Sequence, residues 1–315
     1  LTGNAGDNVL TGTSFDDVIS GGAGNDTLNG GAGNDTLIGG DGNDTLKGGA
    51  GADNLQGGAG DDLFLLASVA QFAAGEVIDG GAGTDTLRYI GNVAETLTLT
   101  NLVTNIEQVQ IATAAGDASG TAAINVNAAA VGNGLLLTGN AGDNVLTGTS
   151  FDDVLNGGAG NDTLIGGAGD DTLRGGDGND VFLIGRAAEH GVGEVIDGGA
   201  GSDVIRFTST SAGETLVLAP GITGVESVVI GTAAGVTTGT TALNVDASAV
   251  GSGLLLTGNN GANTLTGTGD DDVLTGNAGT DILTGGGGND TLNGGAGQDT
   301  VNGGAGADLI LLASK

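Results

Sequence analysis

Large apolar residues recur at every ninth position along the first part of the chain, with polar residues or glycine between them. The positions are Ile19, Leu28, Leu37, Leu46, Leu55 and Phe64. In the unit that runs from Gly21 to Asn29, Leu28 is flanked by Thr27 and Asn29, and alternation along a strand sends a central residue to the face opposite its neighbours. The pattern predicts three-residue strands between glycine-rich turns, with one inward apolar side chain per unit.

The nine-residue unit occurs in three blocks and in two isolated copies. The blocks cover residues 3–65, 139–183 and 258–311, and the isolated copies cover 80–88 and 198–206. Aspartate holds the sixth position of the unit everywhere except in the copy that opens each block, where the residues are Asn8, Asn144 and Asn263. Because an opening unit has a neighbour on one side only, we expect its sixth position to be dispensable.

Two spacers separate the blocks, and the chain is therefore predicted to have five segments. These are a first block (1–65), a spacer with one isolated unit (66–138), a second block (139–183), a second such spacer (184–257) and a third block (258–315). The spacers contain period-two stretches such as ETLTLT from Glu95, which predict short strands. Such strands suit either a sandwich or further coils of a solenoid. The solenoid is favoured because repeat arrays stack on their neighbours without linkers. Short helical turns are predicted near 67–75 and 185–191.

Composition narrows the chemistry of the repeat. Of 315 residues, 69 are glycine, and 38 acidic residues, mostly aspartate, face only 6 basic ones, which gives a net charge of −32. Short carboxylates among glycines suit hard cations that take oxygen ligands from tight turns. A surface this acidic is expected to repel nucleic acid and anionic lipid.

Several classes of site and function are disfavoured by the sequence. The chain has no cysteine and a single histidine, which argues against thiolate, haem and zinc sites. No apolar run approaches the length of a membrane-spanning helix, so no membrane insertion is expected. No motif of a nucleophilic or phosphate-binding active site occurs, and the chain is predicted not to be an enzyme.

The pattern G-G-x-G-x-D-x-U-x, where U is a large apolar residue, resembles the calcium-binding nonapeptide of the RTX proteins. Residues Gly21 to Asn29 (GGAGNDTLN) carry it in full. The resemblance implies an all-β fold, a right-handed parallel β-roll or β-solenoid with β-rich spacers, in which two nonapeptides make one coil. It also implies Ca²⁺ between the turns of successive coils, about 12 ions in all by counting units in the blocks.

The sixth-position aspartates are the candidate calcium ligands that this resemblance implies. They are Asp17, Asp26, Asp35, Asp44, Asp53, Asp62, Asp85, Asp153, Asp162, Asp171, Asp180, Asp203, Asp272, Asp281, Asp290, Asp299 and Asp308. Ordering glycine-rich chain costs roughly 1–2 kcal/mol per residue, and one leucine in nine residues does not readily offset that cost. Folding of the repeat blocks is therefore expected to depend on the metal.

Some positions depart from the motif. Phe15, Phe151 and Asp270 replace the glycine at the fourth position of the unit, which makes calcium at Asp17, Asp153 and Asp272 less certain. Asp85 and Asp203 lie in the isolated units and need a spacer coil to complete a site. A further set of aspartates precedes the motif aspartate by one residue and could be solvated or metal-bound, namely Asp61, Asp152, Asp170 and Asp271.

A few residues outside the motif also carry expectations. His190 is expected in a surface loop. Arg88 and Arg206 follow the two isolated units and are expected to pair with nearby carboxylates. Thr96, Thr98 and Thr100 are expected on an exposed strand face.

The preferred functional interpretation is a calcium-binding structural protein of the bacterial exterior, such as a surface-layer subunit, filament or adhesin rod. Its expected partners are calcium ions, together with further copies of itself or a cell-surface polymer. Type I secretion to the extracellular face is expected with it. Two alternatives stay open: a calcium-binding module of a larger secreted enzyme, and the repeat region of a pore-forming toxin.

Overall fold

A computed structural model describes residues 1–72 and 75–311. Within these residues the regular structure is almost entirely β, with 34 strands and two short 3₁₀ turns, Val69–Gln71 and Ala187–Glu189. The two turns lie where short helical turns are predicted, which confirms them. Residues 73–74 of the first predicted turn and 312–315 of the predicted third block lie outside the described residues.

The chain divides into two compact units, residues 1–158 and 159–315. Strands of the first unit are β1 Val9–Thr11, β2 Val18–Ala23, β3 Thr27–Ala32, β4 Thr36–Asp41, β5 Thr45–Ala50, β6 Asn54–Ala59, β7 Leu63–Leu66, β8 Val77–Ala82, β9 Thr86–Tyr89, β10 Thr96–Thr98, β11 Val103–Thr104, β12 Gln108–Ile111, β13 Asn125–Asn127, β14 Leu136–Thr138, β15 Val145–Thr147 and β16 Val154–Ala159, whose last residue reaches the boundary.

Strands of the second unit are β17 Thr163–Ile165, β18 Thr172–Asp177, β19 Val181–Ile184, β20 Val195–Ala200, β21 Val204–Phe207, β22 Thr215–Val217, β23 Ile222–Thr223, β24 Ser227–Ile230, β25 Asn244–Asp246, β26 Leu255–Thr257, β27 Thr264–Thr266, β28 Val273–Thr275, β29 Ala278–Gly279, β30 Ile282–Gly287, β31 Thr291–Asn293, β32 Ala296–Gly297, β33 Thr300–Ala305 and β34 Leu309–Leu311.

Strands in the first repeat block pair in parallel with the strand two units away. Leu28 in β3 lies opposite Leu10 in β1 and Leu46 in β5, at a separation of 18 residues in each direction. The intervening strands make a second sheet in the same register, with Ile19 opposite Leu37. Two nonapeptides therefore form one coil, as the β-roll requires.

The spacers continue this stack. Phe64 in β7 pairs with Leu87 in β9, and Leu87 pairs with Val109 in β12, which in turn pairs with Leu137 in β14. Inserted residues lengthen the corners, but the strands keep their places in the sheet. Within the second unit an equivalent row runs through Phe182, Ile205, Val228, Leu256, Leu274 and Leu292. The spacers are solenoid coils, and the sandwich alternative is wrong.

The core is the column of apolar side chains predicted from the ninefold period. Leu28, Leu46 and Phe64 are buried, and so is Leu87 in the isolated unit. Their strand neighbours point outward, so each coil buries only a few large side chains. Thr96, Thr98 and Thr100 are exposed, as predicted. A core this narrow leaves much of the stability to the turns.

Candidate metal centre

Each turn of a repeat is built from glycines that adopt backbone angles closed to other residues. Gly22 and Gly24 have φ values of +116° and +102°, in the region that residues with a Cβ rarely enter. These glycines turn the chain sharply between β2 and β3. The turn ends at Asp26, directly before the buried strand position of Leu28.

The motif aspartates form a ladder from coil to coil. The backbone N–H of Asp26 donates to Oδ1 of Asp44 at 2.7 Å, and the N–H of Asp44 donates to Oδ1 of Asp62 at 2.7 Å. Asp35 and Asp53 are linked in the same way at 2.8 Å. One carboxylate oxygen of each aspartate is thereby fixed by the preceding coil.

The other carboxylate oxygen faces the first glycine of its own unit. A Cβ on Gly21 would collide with Oδ2 of Asp26 and would lie 2.7 Å from the carbonyl oxygen of Gly39 in the next coil. The missing side chain thus leaves a cradle between a carboxylate and a carbonyl. The same pairing recurs at Gly30, where Oδ2 of Asp35 and the carbonyl oxygen of Gly48 converge.

In the described residues these second oxygens are buried and have no hydrogen-bond partner at ten positions. They are the Oδ2 atoms of Asp26, Asp35, Asp44, Asp53, Asp62, Asp85, Asp180, Asp203, Asp281 and Asp290. Burying a polar atom without a partner is costly, and burying a charge without one is more so. Each of these oxygens therefore requires either a cation or a proton.

Burial raises the pKa values of several of these motif aspartates. Desolvation raises the pKa of Asp62 to about 7 and that of Asp180 to about 6, although a backbone N–H donor opposes the shift in both. The pKa values of Asp44, Asp53 and Asp281 are raised for the same reason. Without a counter-charge, the folded turns hold protons that free aspartate would release.

Calcium fits the donor set. Among the described residues no three acidic or histidine side chains come together as a metal cluster. The six to eight oxygens that Ca²⁺ prefers must therefore come from carboxylates together with turn carbonyls, as in the cradle between Asp26 and Gly39. When bound, the ion would supply positive charge to the unpartnered Oδ2 atoms. The sequence has no cysteine, and its single histidine, His190, lies outside the repeat turns, which agrees with a hard cation.

A family comparison identifies the repeat. The model described as RTX calcium-binding nonapeptide repeat (4 copies) matches residues 2–37, 38–67, 75–88, 138–173, 147–182, 193–206, 257–292 and 275–310, more than half of the chain. The chain belongs to this RTX repeat family. No curated protein matches it at a significant level. Across the residues described, no helix is long and apolar enough to cross a membrane.

Three RTX units satisfy their aspartate without a metal. The N–H and hydroxyl of Thr13 both donate to Oδ2 of Asp17, at 2.6 and 2.8 Å. Thr149 does the same for Asp153, and Thr268 for Asp272. The backbone N–H of Thr13 also lowers the pKa of Asp17. The fourth position of the unit already made these three aspartates the less certain ligands; the structure adds that threonine replaces the second glycine and donates two hydrogen bonds.

The opening RTX units replace the metal with asparagine. Oδ1 of Asn263 accepts the N–H of Asn259 at 2.9 Å, and its Nδ2 donates to the carbonyl oxygen of Leu243 at 2.7 Å. Asn144 repeats this with Asn140 and Ile124. The amide group fills the place of a carboxylate with its ion, so the two junctions where a spacer leads into a block are bonded by protein atoms alone.

Glutamates in the spacers take the place of motif aspartates, a role that the sequence analysis missed. The N–H of Asp53 donates to Oε2 of Glu76 at 2.9 Å, and the N–H of Asp85 donates to Oε2 of Glu107 at 2.8 Å. In the second unit Glu194 and Glu226 accept from Asp171 and Asp203. The isolated units thus have coil neighbours. The signal was present: each glutamate stands two residues before a buried strand position, as the motif aspartate does.

Burial also raises the pKa of two of these glutamates. Glu76 and Glu194 are buried, and desolvation brings their pKa values to about 7 and about 8, respectively. Their side chains are one methylene longer than that of aspartate, and they lie where the coil is lengthened by an insertion. Without a cation beside it, each carboxyl therefore keeps its proton to a higher pH than a free glutamate does.

The residue before the motif aspartate forms a second ladder that runs the opposite way. Oδ1 of Asn25 accepts the N–H of Asn43 at 2.8 Å, and Oδ1 of Asn43 accepts the N–H of Asp61 at 2.9 Å. Oδ1 of Asp61 accepts from Thr84, and Oδ1 of Asp271 accepts from Asn289. Asp61 and Asp271 are exposed acceptors for turn backbone, which is a third role beside the two considered above.

The remaining candidate aspartates also occupy ladder positions. Oδ1 of Asp180 accepts the N–H of Asp162 at 2.7 Å. Oδ1 of Asp299 accepts from Asp281 at 3.0 Å, and Oδ1 of Asp308 accepts from Asp290 at 3.1 Å. Asp162 and Asp171 are buried, whereas Asp299 and Asp308 are half-buried in the last described coils. All seventeen residues remain predicted ligands, and the threonine-bonded three are the weakest.

Expectations for two kinds of basic residue were wrong. His190 is buried, not in a surface loop, and its Nε2 accepts the N–H of Ala219 at 3.2 Å; burial lowers its pKa to about 4. Arg88 donates to Oε1 of Gln110 and to the carbonyl oxygen of Ala114, not to carboxylates. Arg206 donates to the carbonyl oxygen of Ala233. The lengthened spacer corners place neutral acceptors beside these side chains.

Replacing Asp44 with asparagine distinguishes the hydrogen-bonding role of this side chain from its role as a metal ligand. In the Asp44→Asn variant, Oδ1 still accepts from Asp26, but the negative oxygen in the cradle is lost. We expect the bound calcium to fall by at least one ion and the calcium concentration for half-folding to rise, as measured by metal analysis and far-UV circular dichroism. The Asp61→Asn control removes the same charge outside the cradle. Equal effects of the two variants would contradict the assignment of Asp44.

Acidity is expected to replace calcium in part. A carboxyl whose pKa is raised by folding stabilises the fold below its ordinary pKa near 4 and loses that contribution as pH rises through 6 to 8. In buffers stripped of calcium with a chelating resin, β structure is therefore expected to be greater near pH 5 than near pH 8. The Glu76→Gln variant keeps an acceptor for Asp53 and should reduce this pH dependence. A metal-free spectrum that is independent of pH would refute the expectation.

Asn263→Asp tests the metal-free junction. The carboxylate would face the carbonyl oxygen of Leu243, so the variant is expected to lose about 1–3 kcal/mol of unfolding free energy at the lowest calcium concentration at which the chain is folded. Higher calcium should recover part of this loss, because the new oxygen matches the sixth position of the other units. Urea unfolding at this limiting calcium concentration and at millimolar calcium measures both effects. The exposed Asn260→Asp change is the charge-matched control, and equal losses in the two variants would count against the junction.

Proposed function

We propose that this chain is a calcium-binding structural protein of the bacterial exterior, whose repeats fold and stiffen when they bind Ca²⁺. The observation that supports this most is the row of buried Oδ2 atoms without hydrogen-bond partners, such as those of Asp26, Asp44 and Asp62. A domain that needs so many cations to neutralise its turns is suited to a compartment where the cation is abundant. The earlier count of about 12 ions is part of this proposal.

The proposed exterior location rests on the calcium concentration that such sites need. Extracellular calcium modules bind in the range of about 10⁻⁴ to 10⁻³ M, and intracellular calcium is far too scarce to fill such sites. A chain that stays unfolded until it meets external calcium is compatible with export in an unfolded state. We therefore propose extracellular or cell-surface placement and secretion by a type I system.

A structural role without catalysis is favoured by the way the spacers are built. Val109 in the first spacer and Val228 in the second lie in the same strand rows as the repeats. The spacers thus add coils to the stack, an arrangement that serves a structural role and that a catalytic role does not require. Solenoid ends present unpaired strand edges, which favour association with another chain or a surface polymer. Surface-layer, filament and adhesin roles share this chemistry.

The test is calcium-dependent folding and assembly of the intact chain. Far-UV circular dichroism and metal analysis should show β structure appearing together with about 12 bound ions as calcium replaces EGTA. Electron microscopy and sedimentation should then show ordered assemblies in millimolar calcium, and monomers in EGTA. A circular dichroism spectrum that is the same in EGTA and in calcium would overturn the proposal of calcium-driven folding.

The assembly measurement tests the structural role separately from calcium binding. A chain that folds with calcium but remains a compact monomer at all concentrations would reject the assembly role. It would favour the alternative that these repeats are the calcium-binding module of a larger secreted enzyme or toxin.

A further inference from the structure

The two spacers carry the same cavity at equivalent corners of the coil. In the first spacer a cavity of about 240 Å³ lies between the end of β9, the end of β12 and the loop 112–122. In the second, a cavity of about 350 Å³ lies between the ends of β21 and β24 and the loop 231–241. Each lies within its own unit, and neither includes a motif aspartate. The calcium chemistry therefore leaves both unexplained.

Both loops are held open by the same hydrogen bonds. The N–H of Thr113 donates to the carbonyl oxygen of Asp117 at 2.8 Å, and the N–H of Asp117 returns a bond to Oγ1 of Thr113 at 3.1 Å. Thr232 and Val236 make the same pair at 3.0 and 3.1 Å. A closed turn at the start of the loop keeps it from collapsing onto the strand ends.

The far end of each loop is fixed by a buried asparagine. Nδ2 of Asn140 donates to the carbonyl oxygen of Ala122 at 3.1 Å, and Nδ2 of Asn259 donates to that of Thr241 at 2.9 Å. Arg88 holds the loop from the side through Ala114. A cavity bounded by fixed polar atoms on both sides is formed before any ligand arrives, which lowers the entropic cost of binding.

One polar atom beside the first cavity has no partner. Oη of Tyr89 is fully buried, and in the described part of the chain it makes no hydrogen bond. It lies against Gly91, which lines the cavity. Buried tyrosine hydroxyls usually find a partner. Phe207 holds the equivalent place in the second spacer, so the hydroxyl is not required for packing; it lies behind Gly91 and does not itself line the cavity.

The lining combines an apolar floor with a hydroxyl-bearing rim. Ile111 and Leu243 are buried at the floors of the two cavities, beside Asn140 and Asn259. The rims present exposed threonine hydroxyls, from Thr113 and Thr121 in the first cavity and from Thr210 and Thr232 in the second. A sugar ring has the complementary surface, because its C–H groups face an apolar floor and its hydroxyls hydrogen-bond at the edge.

Size and charge narrow the ligand further. Both cavities are near or below the lower end of ligand pockets, about 300 Å³, which suits one ring. The net charge of −32 and the Asp117 carboxylate at the first rim oppose anionic ligands. We propose that each spacer cavity binds one ring of a neutral carbohydrate.

The test uses the intact chain in calcium, labelled with ¹⁵N. D-glucose, D-galactose, D-mannose, N-acetyl-D-glucosamine and L-rhamnose are titrated singly, with D-galacturonate as the anionic control. We expect at least one neutral sugar to shift the amides of Gly91, Ala112 and Thr121 in a saturable way, together with those of Thr210 and Gly231. A millimolar dissociation constant is expected for a ligand of about 12 non-hydrogen atoms.

Cavity-filling variants locate the binding. A Cβ on Gly120 would lie 3.6 Å from Nδ2 of Asn140, and one on Gly239 would lie 3.8 Å from Nδ2 of Asn259, both ordinary contacts. Gly120→Phe and Gly239→Phe should each weaken binding at least tenfold in their own spacer. Gly251→Phe, at a glycine with nothing within 4 Å, is the matched control and should leave binding unchanged.

Absence of saturable shifts with every neutral sugar would overturn the proposal. Shifts that survive both cavity-filling variants, or that galacturonate reproduces equally, would overturn it as well. None of these outcomes bears on calcium-driven folding.

Discussion

A buried carboxylate oxygen beside a glycine without a side chain is the interaction on which the rest of this structure depends. In each complete repeat the sixth-position aspartate uses one oxygen to bind the preceding coil and directs the other into the cradle at the first glycine, as Asp26 does at Gly21. The coil stack cannot close without bringing these oxygens inside. The fold therefore builds up an electrostatic cost that only cations or protons can remove.

The narrow core explains why that cost matters. Each coil buries a few side chains such as Leu28 and Leu46, whereas its turns consist largely of glycine, which loses the most entropy on folding. In an ordinary domain a larger apolar core offsets more of such a cost. Here the margin is small, and the free energy of metal binding becomes part of the free energy of folding.

The chain also varies this interaction along its length. At Asp272 two hydrogen bonds donated by Thr268 take the place of a cation. At Asn263 an amide takes the place of the carboxylate and donates a hydrogen bond to the spacer. Both occur where a block begins. The spacers have more aliphatic core, and the junctions that follow them are bonded without metal. A junction coil therefore offers a formed strand edge on which the next calcium-dependent coil can stack.

The ninefold sequence pattern was enough to determine the repeat, its strands, its inward apolar residues and the row of aspartates at Asp26, Asp35 and Asp44. These follow from local rules: alternation along a strand, glycine in tight turns and oxygen ligands for a hard cation. The resemblance to the RTX family supplied two units per coil. The pairing of Leu28 with Leu46 agrees with both.

Only the tertiary structure decided which residues meet across coils. The spacer insertions change the sequence separation between paired strands, so the positions of Glu76 and Glu107 beneath motif aspartates could not be counted from the period. The burial of His190 and the neutral partners of Arg88 depend on the same lengthened corners. A regular period fixes the contacts between neighbouring units, but an insertion moves the next contact to a place that only the folded chain defines.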